Sequence, residues 1–374
     1  MFTLVMNIVY PSNILILALI CCAVFCFTLT ESRIKRSVSL NTINLILMFG
    51  LACLANTFKQ EYDDYSYAAI TKSYFVVLFL TLFLILDRFE AFQLAAKNSI
   101  KWILILLTSV FYLQFITFLI TGQYLDFLSF FGIREAKPNF YLSIFGITDF
   151  VRCTSLLNEP GTYCSCLAVL IATAINCDVI SQTKNKILIA SALVSMILSF
   201  SGFGIVLVVL MVSALYLDGL QKDGRKFKFK FIYVLVGLLF VTLSTMVATS
   251  YFNSRIQENG DQRSGLLFRV ILVENVMSSD IKEMLFGRDF NQRSITYASD
   301  EEYSTYPEDL GLWFFWLYWY GSLFLIWFIV TLVKFLKVPP VWAVVILFSK
   351  VTGFSFLLVF ACLWNLKNRR LYEN

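Results

Sequence analysis

Histidine is missing from this chain: none of its 374 residues is one. Imidazole is therefore excluded as a general base, as a metal ligand and as a switch near neutral pH. Charged residues are scarce as well, at 15% of the sequence, against roughly 25% in an ordinary soluble domain. This composition excludes a soluble globular protein and a disordered chain, and it leaves acid–base chemistry to Asp, Glu, Tyr or Lys.

Apolar side chains dominate instead: 59% of the residues are hydrophobic. A membrane-spanning helix needs about 20 such residues. Here they occur in continuous runs, not in the alternating pattern of an outer-membrane barrel. We therefore predict an all-α fold, a polytopic membrane helix bundle of about 10–11 spans. The predicted spans are 13–30, 40–58, 68–86, 102–121, 161–177, 187–200, 203–217, 230–250, 311–333, 339–349 and 353–364.

Two of the apolar stretches are interrupted near their middle. The stretch 187–217 is long for one helix and short for two, and Ser199–Gly204 lies at its centre. Basic residues flank both ends, which favours a hairpin with its turn at Ser201–Gly202. The last stretch, 339–364, contains Lys350, and we expect a second hairpin there. A single span would reduce the total to ten and place the tail outside.

Lysine and arginine cluster in short loops between the predicted spans. Such loops stay in the cytoplasm, so alternation places the two long loops on the outer side. The basic loops are 31–39, 87–101, 178–186, 218–229 and 334–338. The chain then divides into N-terminal helices (1–121), the first long periplasmic loop (122–160), central helices (161–250), the second long periplasmic loop (251–310), and C-terminal helices with a cytoplasmic tail (311–374).

Nine cysteines are present, and most lie in or at the ends of apolar runs, where cysteine is a small hydrophobic residue. Cys164 and Cys166 form a C-x-C pair with no third ligand near them in the sequence. We interpret this pair as helix packing and predict no metal site.

Arginine is enriched in the two long loops. They carry seven arginines and two lysines, whereas the cytoplasmic loops and tail carry six arginines and eleven lysines. The planar guanidinium binds phosphate with two parallel hydrogen bonds, while the lysine ammonium acts as a point charge. The outer arginines either bind phosphate or pair with nearby acids, and composition alone leaves both interpretations open.

The first candidate motif precedes the span at 161–177. Arg152 stands seven residues before Glu159, which is followed by Pro160 and Gly161. Proline in the first turn, with an acidic residue before it, is typical of a helix start. That structural role explains Glu159 and Pro160, but it does not explain an arginine at the membrane surface.

Two further candidates lie in the second long loop. Arg263 and Arg269 accompany an apolar repeat at helical spacing, which predicts an amphipathic helix on the outer leaflet or over the bundle. Snorkelling arginines would give the same pattern. The repeat consists of Leu266, Val270, Val273 and Met277. Further along, a glycine turn at Leu285–Phe290 carries Arg288 and Asp289, which is a weaker signal.

The fourth candidate heads the aromatic span at 311–333. Glu308 and Asp309 stand at its outer mouth, after Tyr306 and Pro307. Acidic residues after a proline are also an ordinary helix start. This pattern therefore has a purely structural interpretation too.

Taken in order, these features resemble the Wzy-type O-antigen polymerases of the bacterial inner membrane. The resemblance covers roughly residues 120–335. It consists of Arg152 with the helix start Glu159–Gly161, the small-residue hairpin (Ser199, Ser201, Gly202, Gly204), the second loop (Arg263, Arg269, Phe286, Gly287) and the acid-headed aromatic span (Asp309, Gly321). O-antigen ligases are similar but carry a histidine at the head of that span, so the absence of histidine favours a polymerase.

The resemblance implies a GT-C-like fold and glycosyl transfer at the periplasmic face. The growing glycan leaves undecaprenyl diphosphate and joins a sugar hydroxyl of a new undecaprenyl-diphosphate-linked repeat unit, in lipopolysaccharide O-antigen or related surface polysaccharide synthesis. It also implies a bacterial inner-membrane location, contact with membrane lipid, and a separate chain-length regulator as a partner. Neither nucleic acid nor a cofactor is implied.

The chemistry of this reaction assigns roles to the candidate residues. A diphosphate leaving group needs positive charge, and the attacking hydroxyl needs a base, for which a carboxylate is the default in a chain without histidine. For the diphosphates we expect Arg152, Arg263 and Arg269, followed by Arg288. For the base we weigh Glu159 against Asp309, followed by Glu308 and Asp289. Tyr163 and Tyr306 are the candidates for stacking on sugar rings.

Two alternative functions remain open. A metal-dependent GT-C glycosyltransferase would use paired acids, and Glu61, Asp63 and Asp64 form such a cluster, although a solvated charge run explains them as well. A transporter or flippase of the same lipid-linked sugar would line its path with charged residues inside the spans. Lys72 and Lys350 are the candidates for that role.

Overall fold

Helices make up most of the described part of the chain. The structure, a computed structural model, describes residues 51, 90–127, 142–144, 147–157, 159–176, 179, 185–222, 272–274, 276–287 and 310–350. The elements are α1 (Glu90–Thr121), β1 (Leu142–Ile144), β2 (Ile147–Phe150), α2 (Pro160–Asn176), α3 (Lys186–Leu198), α4 (Gly202–Lys222), α5 (Ile281–Phe286), α6 (Leu312–Val330, continued by a π-helical turn, Thr331–Phe335) and α7 (Pro340–Leu347).

α2 is the central helix of this packing. Its side chains are apolar on nearly every face, and Leu167, Ala168, Ile171 and Ala174 are completely buried. A helix that is apolar all round belongs in an interior. Accordingly, α1, α3, α4 and α7 pack around α2.

The helix ends that the predicted alternation assigns to the outer side meet at one end of the packing. Near the start of α2, Tyr163 is hydrogen-bonded to Ser195 near the end of α3, at 2.8 Å. Ser165, also near the start of α2, accepts a hydrogen bond from the backbone N–H of Lys350, just after α7, at 2.9 Å. The described contacts therefore agree with the predicted up-and-down order of these helices.

Five predicted spans correspond closely to described helices: 161–177 to α2, 187–200 to α3, 203–217 to α4, 311–333 to α6 and 339–349 to α7. The hairpin turn predicted at Ser201–Gly202 is confirmed, because α3 ends at Leu198 and α4 begins at Gly202. Apart from Leu51, the predicted spans 13–30, 40–58, 68–86, 230–250 and 353–364 lie outside the described residues.

Two predictions need correction. The loop predicted at 87–101 is helical from Glu90 onward, as part of α1; this stretch contains neither proline nor glycine, so nothing in it stops a helix. The fold is also not strictly all-α. β1 and β2 form a short antiparallel hairpin in the first long loop, with Leu142 opposite Phe150 and Ile144 opposite Ile147.

Within the described residues, two helices are long and apolar enough to cross a membrane, Asn98–Thr121 and Leu312–Lys334. α1 also exposes large apolar side chains that recur three, four or seven residues apart, which is the spacing of one helix face. Trp102 is 67% exposed and Ile120 77%, and Leu106, Leu113 and Ile116 are exposed between them. A contiguous apolar face of this kind is what a helix presents to lipid or to another protein.

α6 is not a straight rod, because it is broken at Gly321, where φ is 81° and ψ is 176°. The ring centroids of Trp316 and Phe328 are 5.0 Å apart. Twelve residues of straight α-helix would separate them by about 18 Å along the axis. The two halves of α6 therefore bend sharply towards each other.

A turn of the second long loop packs into this break. Gly287, at the end of α5, has a φ of 81°. A Cβ atom on Gly321 would lie 2.5 Å from the backbone nitrogen of Gly287, and one on Gly287 would lie 2.5 Å from the backbone nitrogen of Tyr320. The two glycines thus allow backbone to pack against backbone. The structure joins two features that were far apart in the sequence pattern, the Phe286–Gly287 turn and the internal Gly321.

The segment before α5 supports the predicted amphipathic helix in part. Residues 272–274 and 276–277 are helical. Leu272 and Val276 are buried, whereas Val273 and Met277, which belong to the predicted apolar repeat, are exposed. The described part of the repeat faces away from the protein interior, which fits a helix on the outer leaflet better than one lying over the bundle.

Small residues let α2 and α4 cross closely. A Cβ atom on Gly204 would lie 2.5 Å from the Sγ atom of Cys164. That sulfur also makes a 3.1 Å contact with the hydroxyl of Ser199 in the hairpin turn. The small-residue hairpin is therefore a packing device, since small side chains are what allow helix backbones to approach each other.

We expect Gly204→Ala to destabilise the folded protein, because overpacking of a tight contact costs typically about 1–3 kcal/mol. Thermal unfolding of the purified protein in detergent measures this. Gly202→Ala is the matched control in the same hairpin, since nothing lies within 4 Å of a Cβ atom there. Adding Cys164→Ala to Gly204→Ala should recover part of the loss, and equal melting of the two glycine variants would contradict the close crossing.

Candidate functional site

The segment that carries Arg152 is fixed to α1 by the side chain of Gln114. Gln114 is completely buried. Its Nε2 atom donates hydrogen bonds to the carbonyl oxygens of Leu125 and Ser155, both at 3.0 Å, and its Oε1 atom accepts the N–H of Ser155 at 2.7 Å. Ser155 has a φ of 58°, and its hydroxyl donates to the carbonyl of Leu107 at 2.7 Å. One side-chain amide thus satisfies backbone groups that no regular secondary structure pairs.

The same segment is packed rather than solvated. Tyr124 shares a 3.0 Å hydrogen bond with Thr154, and burial raises the pKa of Tyr124 to about 12. Cys153 is completely buried, and burial raises the pKa of its thiol to about 12. Both groups therefore stay protonated at physiological pH. The loop residues next to Arg152 are therefore packed like core residues.

Arg152 itself follows β2 and is half-buried between the buried residues Val151 and Cys153. It lies close enough to Cys164, in the second turn of α2, to act on that residue electrostatically. α2 begins as predicted, because the carbonyl oxygen of Glu159 accepts the N–H of Tyr163 at 3.0 Å and Pro160 is the first helical residue. The structure thus places Glu159 at the start of α2 and Arg152 within electrostatic range of Cys164, one turn further along that helix.

Lys350 reaches the same helix start from the other side. Its Nζ atom lies 3.6 Å from the position of a Cβ atom on Gly161. It also lies over the ring of Phe203, in the first turn of α4, at 5.1 Å from the ring centroid. Like Arg152, Lys350 is close enough to Cys164 to act on it electrostatically.

Two helix N-termini point at this place as well. α2 and α4 begin side by side, because Cys164 touches Gly204. Each helix N-terminus carries about half a positive charge. We call Arg152, Lys350 and the first turns of α2 and α4 the basic cluster. Side chains with N–H donors together with helix N-termini are the arrangement that proteins use to bind phosphate groups.

The head of α6 adjoins the basic cluster through the end of α7. The backbone N–H of Leu312 donates to the carbonyl oxygen of Ser349, the neighbour of Lys350, at 2.7 Å. Gly311 has a φ of 106°, and a Cβ atom there would lie 3.1 Å from the carbonyl oxygen of Leu347. The chain therefore enters α6 next to Lys350.

Tyr163 is a core residue in this structure. It is completely buried, its ring stacks on Phe111 with the centroids 5.0 Å apart, and its hydroxyl is bound to Ser195. The geometry does not support the predicted contact between Tyr163 and a sugar ring, because no part of its ring is accessible. In the sequence, a tyrosine near the start of a spanning helix looks the same whether it lies in the aromatic belt at the membrane interface or in the protein core.

The other predicted site residues lie outside the described residues. These are Arg263, Arg269, Arg288, Tyr306, Glu308, Asp309, Asp289 and the acidic cluster at Glu61, Asp63 and Asp64. Their roles stay predictions. Among the described candidates, the structure places Glu159 at the start of α2, Arg152 within electrostatic range of that helix, and Tyr163 in the core.

The sequence pattern indicates Lys350 as a functional candidate, because it is a lysine inside a long apolar stretch, but it links this residue to a transport path. The sequence gives no information about the proximity of Lys350 to Gly161, which the structure shows. That proximity depends on how α7 packs against α2.

We expect Gln114→Leu to loosen the segment 151–157, because it leaves buried backbone groups of Ser155 without partners, at a cost of about 1–3 kcal/mol for each. The readout is the labelling of Cys153 by a maleimide, followed at the peptide level by mass spectrometry. Cys153 is completely buried in the native protein, so it should react quickly in the variant alone. Gln123→Leu, at an exposed position, is the control. Equal labelling of Cys153 in both variants would contradict the role of Gln114.

Comparisons of the whole chain with protein-family models, with curated proteins and with solved structures gave no match. Any function has therefore to be inferred from the residues of this chain. Three features point to one: the basic cluster, the acid at the start of α2, and the ordered sequence pattern that resembles the O-antigen polymerases.

Proposed function

We propose that this protein is a glycosyltransferase of the O-antigen polymerase kind, a polytopic inner-membrane bundle of 10–11 spans with its active site at the periplasmic face. One observation carries the proposal. Lys350 lies beside the first turns of α2 and α4, and Arg152 lies within electrostatic range of Cys164 in the second turn of α2, at the end of the helix packing that the positive-inside rule assigns to the outer side. A lipid-linked diphosphate reaches the protein at that level, with its tail in the bilayer.

In the proposed reaction, a sugar hydroxyl of the incoming repeat unit attacks the anomeric carbon of the growing glycan. The bond between that carbon and the phosphate oxygen breaks, and undecaprenyl diphosphate leaves with the electron pair. The hydroxyl proton passes to a carboxylate. Glu159 is the described candidate for this base because it precedes the first turn of α2. Asp309, Glu308 and Asp289 remain candidates from the sequence.

The guanidinium of Arg152 has a defined task in this mechanism. Negative charge develops on the phosphate oxygen as the glycosidic bond breaks, and a fixed donor that faces that oxygen stabilises the transition state more than the bound substrate. The hydrogen bonds of Gln114 with Ser155 hold the backbone that follows Arg152, so little reorganisation is needed. Arg263, Arg269 and Arg288 of the second long loop would bind the second lipid-linked substrate.

The position of Lys350 favours surface chemistry over transport. A flippase would place charged residues along a path through the membrane. Lys350 instead lies beside the first turns of two helices, next to Gly161 and Phe203, which fits a site at the membrane surface.

Arg152→Ala should lower the initial rate of polymerisation by about 100-fold or more, as the loss of one preorganised donor does in other enzymes. Arg152→Lys should also fail, because an ammonium cannot make the two-pronged contact. The assay uses the purified full chain in nanodiscs with a defined undecaprenyl-diphosphate-linked repeat unit. Lys101→Ala, at an exposed position on α1, is the control and should retain the native rate.

Two outcomes would overturn the proposal. The first is products of wild-type length from Arg152→Ala, which would contradict the assignment of Arg152 to the diphosphate site. The second is loss of activity on addition of a chelator, which would favour the metal-dependent alternative at Glu61, Asp63 and Asp64. In cells, a chain that lacks polymerase activity leaves single capped repeat units on the surface lipid. Loss of a flippase leaves none, so the length of the surface glycan separates the two functions.

A further inference from the structure

The exposed apolar face of α1 measures depth in the membrane. This face begins at Trp102, next to the exposed Lys101, and ends at Ile120, shortly before the exposed Gln123. The helix between Trp102 and Ile120 is about 27 Å long, close to the thickness of about 30 Å of the hydrocarbon core. A bilayer shifted towards the start of α1 would enclose Lys101, which is costly. Phe111, halfway along this face, therefore lies near the middle of the bilayer if α1 crosses it.

Residues of the first long loop contact α1 at this middle level. The hydroxyl of Ser155 donates to the carbonyl oxygen of Leu107, and the backbone of Ser155 is paired with the side chain of Gln114. Leu107 and Gln114 lie on either side of Phe111 in the sequence. The start of α2 is at the same level, because the ring of Tyr163 stacks on Phe111 with the centroids 5.0 Å apart. We call this level the central layer.

α3 measures the depth of the central layer from the cytoplasmic side. The helix begins at Lys186, which is exposed and belongs to a predicted cytoplasmic loop. Ser195, which is hydrogen-bonded to Tyr163 at 2.8 Å, lies about 14 Å further along the helix. That distance is close to half of the hydrocarbon core. α3 therefore agrees with α1 about the depth of the start of α2.

α7 gives a third measurement of the same depth. It begins at Pro340, shortly after the exposed Lys337 of another predicted cytoplasmic loop. Ser349 lies about 14 Å further along the chain, and the N–H of the next residue donates to the hydroxyl of Ser165 in α2 at 2.9 Å. A helix as short as α7 cannot cross a whole bilayer. It is long enough to join the cytoplasmic face to the central layer.

The loop residues in the central layer are paired as a segment inside a membrane must be. Non-helical backbone occurs at membrane depth only where it is buried in protein or lines a water-filled cavity. Besides the bonds between Ser155 and Gln114, the hydroxyl of Thr154 is bonded to Tyr124 at 3.0 Å, and the N–H of Leu157 donates to the carbonyl oxygen of Thr154 at 3.1 Å. This pairing also explains why α1 carries a completely buried glutamine in an apolar stretch.

We propose that residues 151–157 re-enter the membrane from the outer side and lie about 15 Å below the outer edge of the hydrocarbon core, halfway across it. Arg152 stands three residues before Ser155 and so lies within about 11 Å of it. The outer surface of the protein is then recessed at this site, and a lipid-linked diphosphate must leave the headgroup layer to reach Arg152. That consequence rests on the proposed function, whereas the depth of the segment rests only on α1 crossing the membrane.

The test measures depth with a nitroxide attached to p-acetylphenylalanine, a residue that leaves the native cysteines unlabelled. The full chain is placed in nanodiscs in which some of the lipid headgroups carry Gd³⁺. The enhancement of nitroxide relaxation by Gd³⁺ falls with distance from either headgroup layer. α1 calibrates the depth: labels that replace Lys101 and Gln123 should show a large enhancement, and a label that replaces Leu113, which is exposed near the middle of the helix, a small one.

The two reporters of the central layer are Leu156 and Phe203. Leu156 is half-buried within the re-entrant segment, and Phe203 stands next to Gly204, which lies against Cys164 of α2. Labels at both positions should show an enhancement as small as that at Leu113. The replacement of Phe203 changes few atoms, so this reporter keeps the test decisive if a label at Leu156 disturbs the fold.

A large enhancement at either reporter, equal to that at Gln123, would overturn the proposal, because it would place the central layer at the headgroups. An equally large enhancement at Leu113 would overturn it as well, since α1 would then not cross the membrane at this level. The proposed function fails separately, because the nitroxide reports depth in an inactive chain too. Small enhancement at both reporters in a chain that does not polymerise lipid-linked repeat units would keep the re-entrant segment and contradict the enzyme.

Discussion

The contact between the sulfur of Cys164 and the backbone at Gly204 sets how closely α2 and α4 approach each other in the described part of the chain. Because Gly204 has no side chain, the sulfur lies against the backbone of α4, and the two helices begin side by side. Their positive ends therefore reinforce each other, and the space between Gly161 and Phe203 is narrow enough for one lysine side chain to touch both helix starts. A larger residue at position 204 would move the two helix starts apart and dilute the field.

Rigidity around Arg152 comes from a different source. The segment that follows this arginine belongs to no helix, yet the N–H and C=O groups of Ser155 are satisfied by Gln114, and the hydroxyls of Ser155 and Thr154 are bonded to Leu107 and Tyr124. Buried polar networks that are fully paired make one conformation strongly preferred. A framework of neutral hydrogen bonds thus fixes the backbone next to Arg152.

The sequence predicted what depends on local pattern. The helices at 161–177 and 187–217, the turn at Ser201–Gly202 and the helix start at Glu159–Pro160 follow from apolar runs, glycine and proline, and the structure agrees with them. It could not predict the pairing of Lys350 with Gly161 or of Gly287 with Gly321, because these contacts join distant parts of the chain. The sequence also does not distinguish a core tyrosine from an interfacial one. Tyr163, which the sequence analysis proposes as a sugar-binding residue, lies in the core.

The break at Gly321 has a consequence for how the protein is assembled. A helix that bends sharply inside hydrocarbon leaves backbone polar groups without helical partners, at a cost of several kcal/mol for each. In this structure the Leu285–Gly287 turn packs at the break in Leu312–Val330. The bend of the helix and the position of the turn therefore depend on each other, because a side chain at either glycine would keep the two backbones apart.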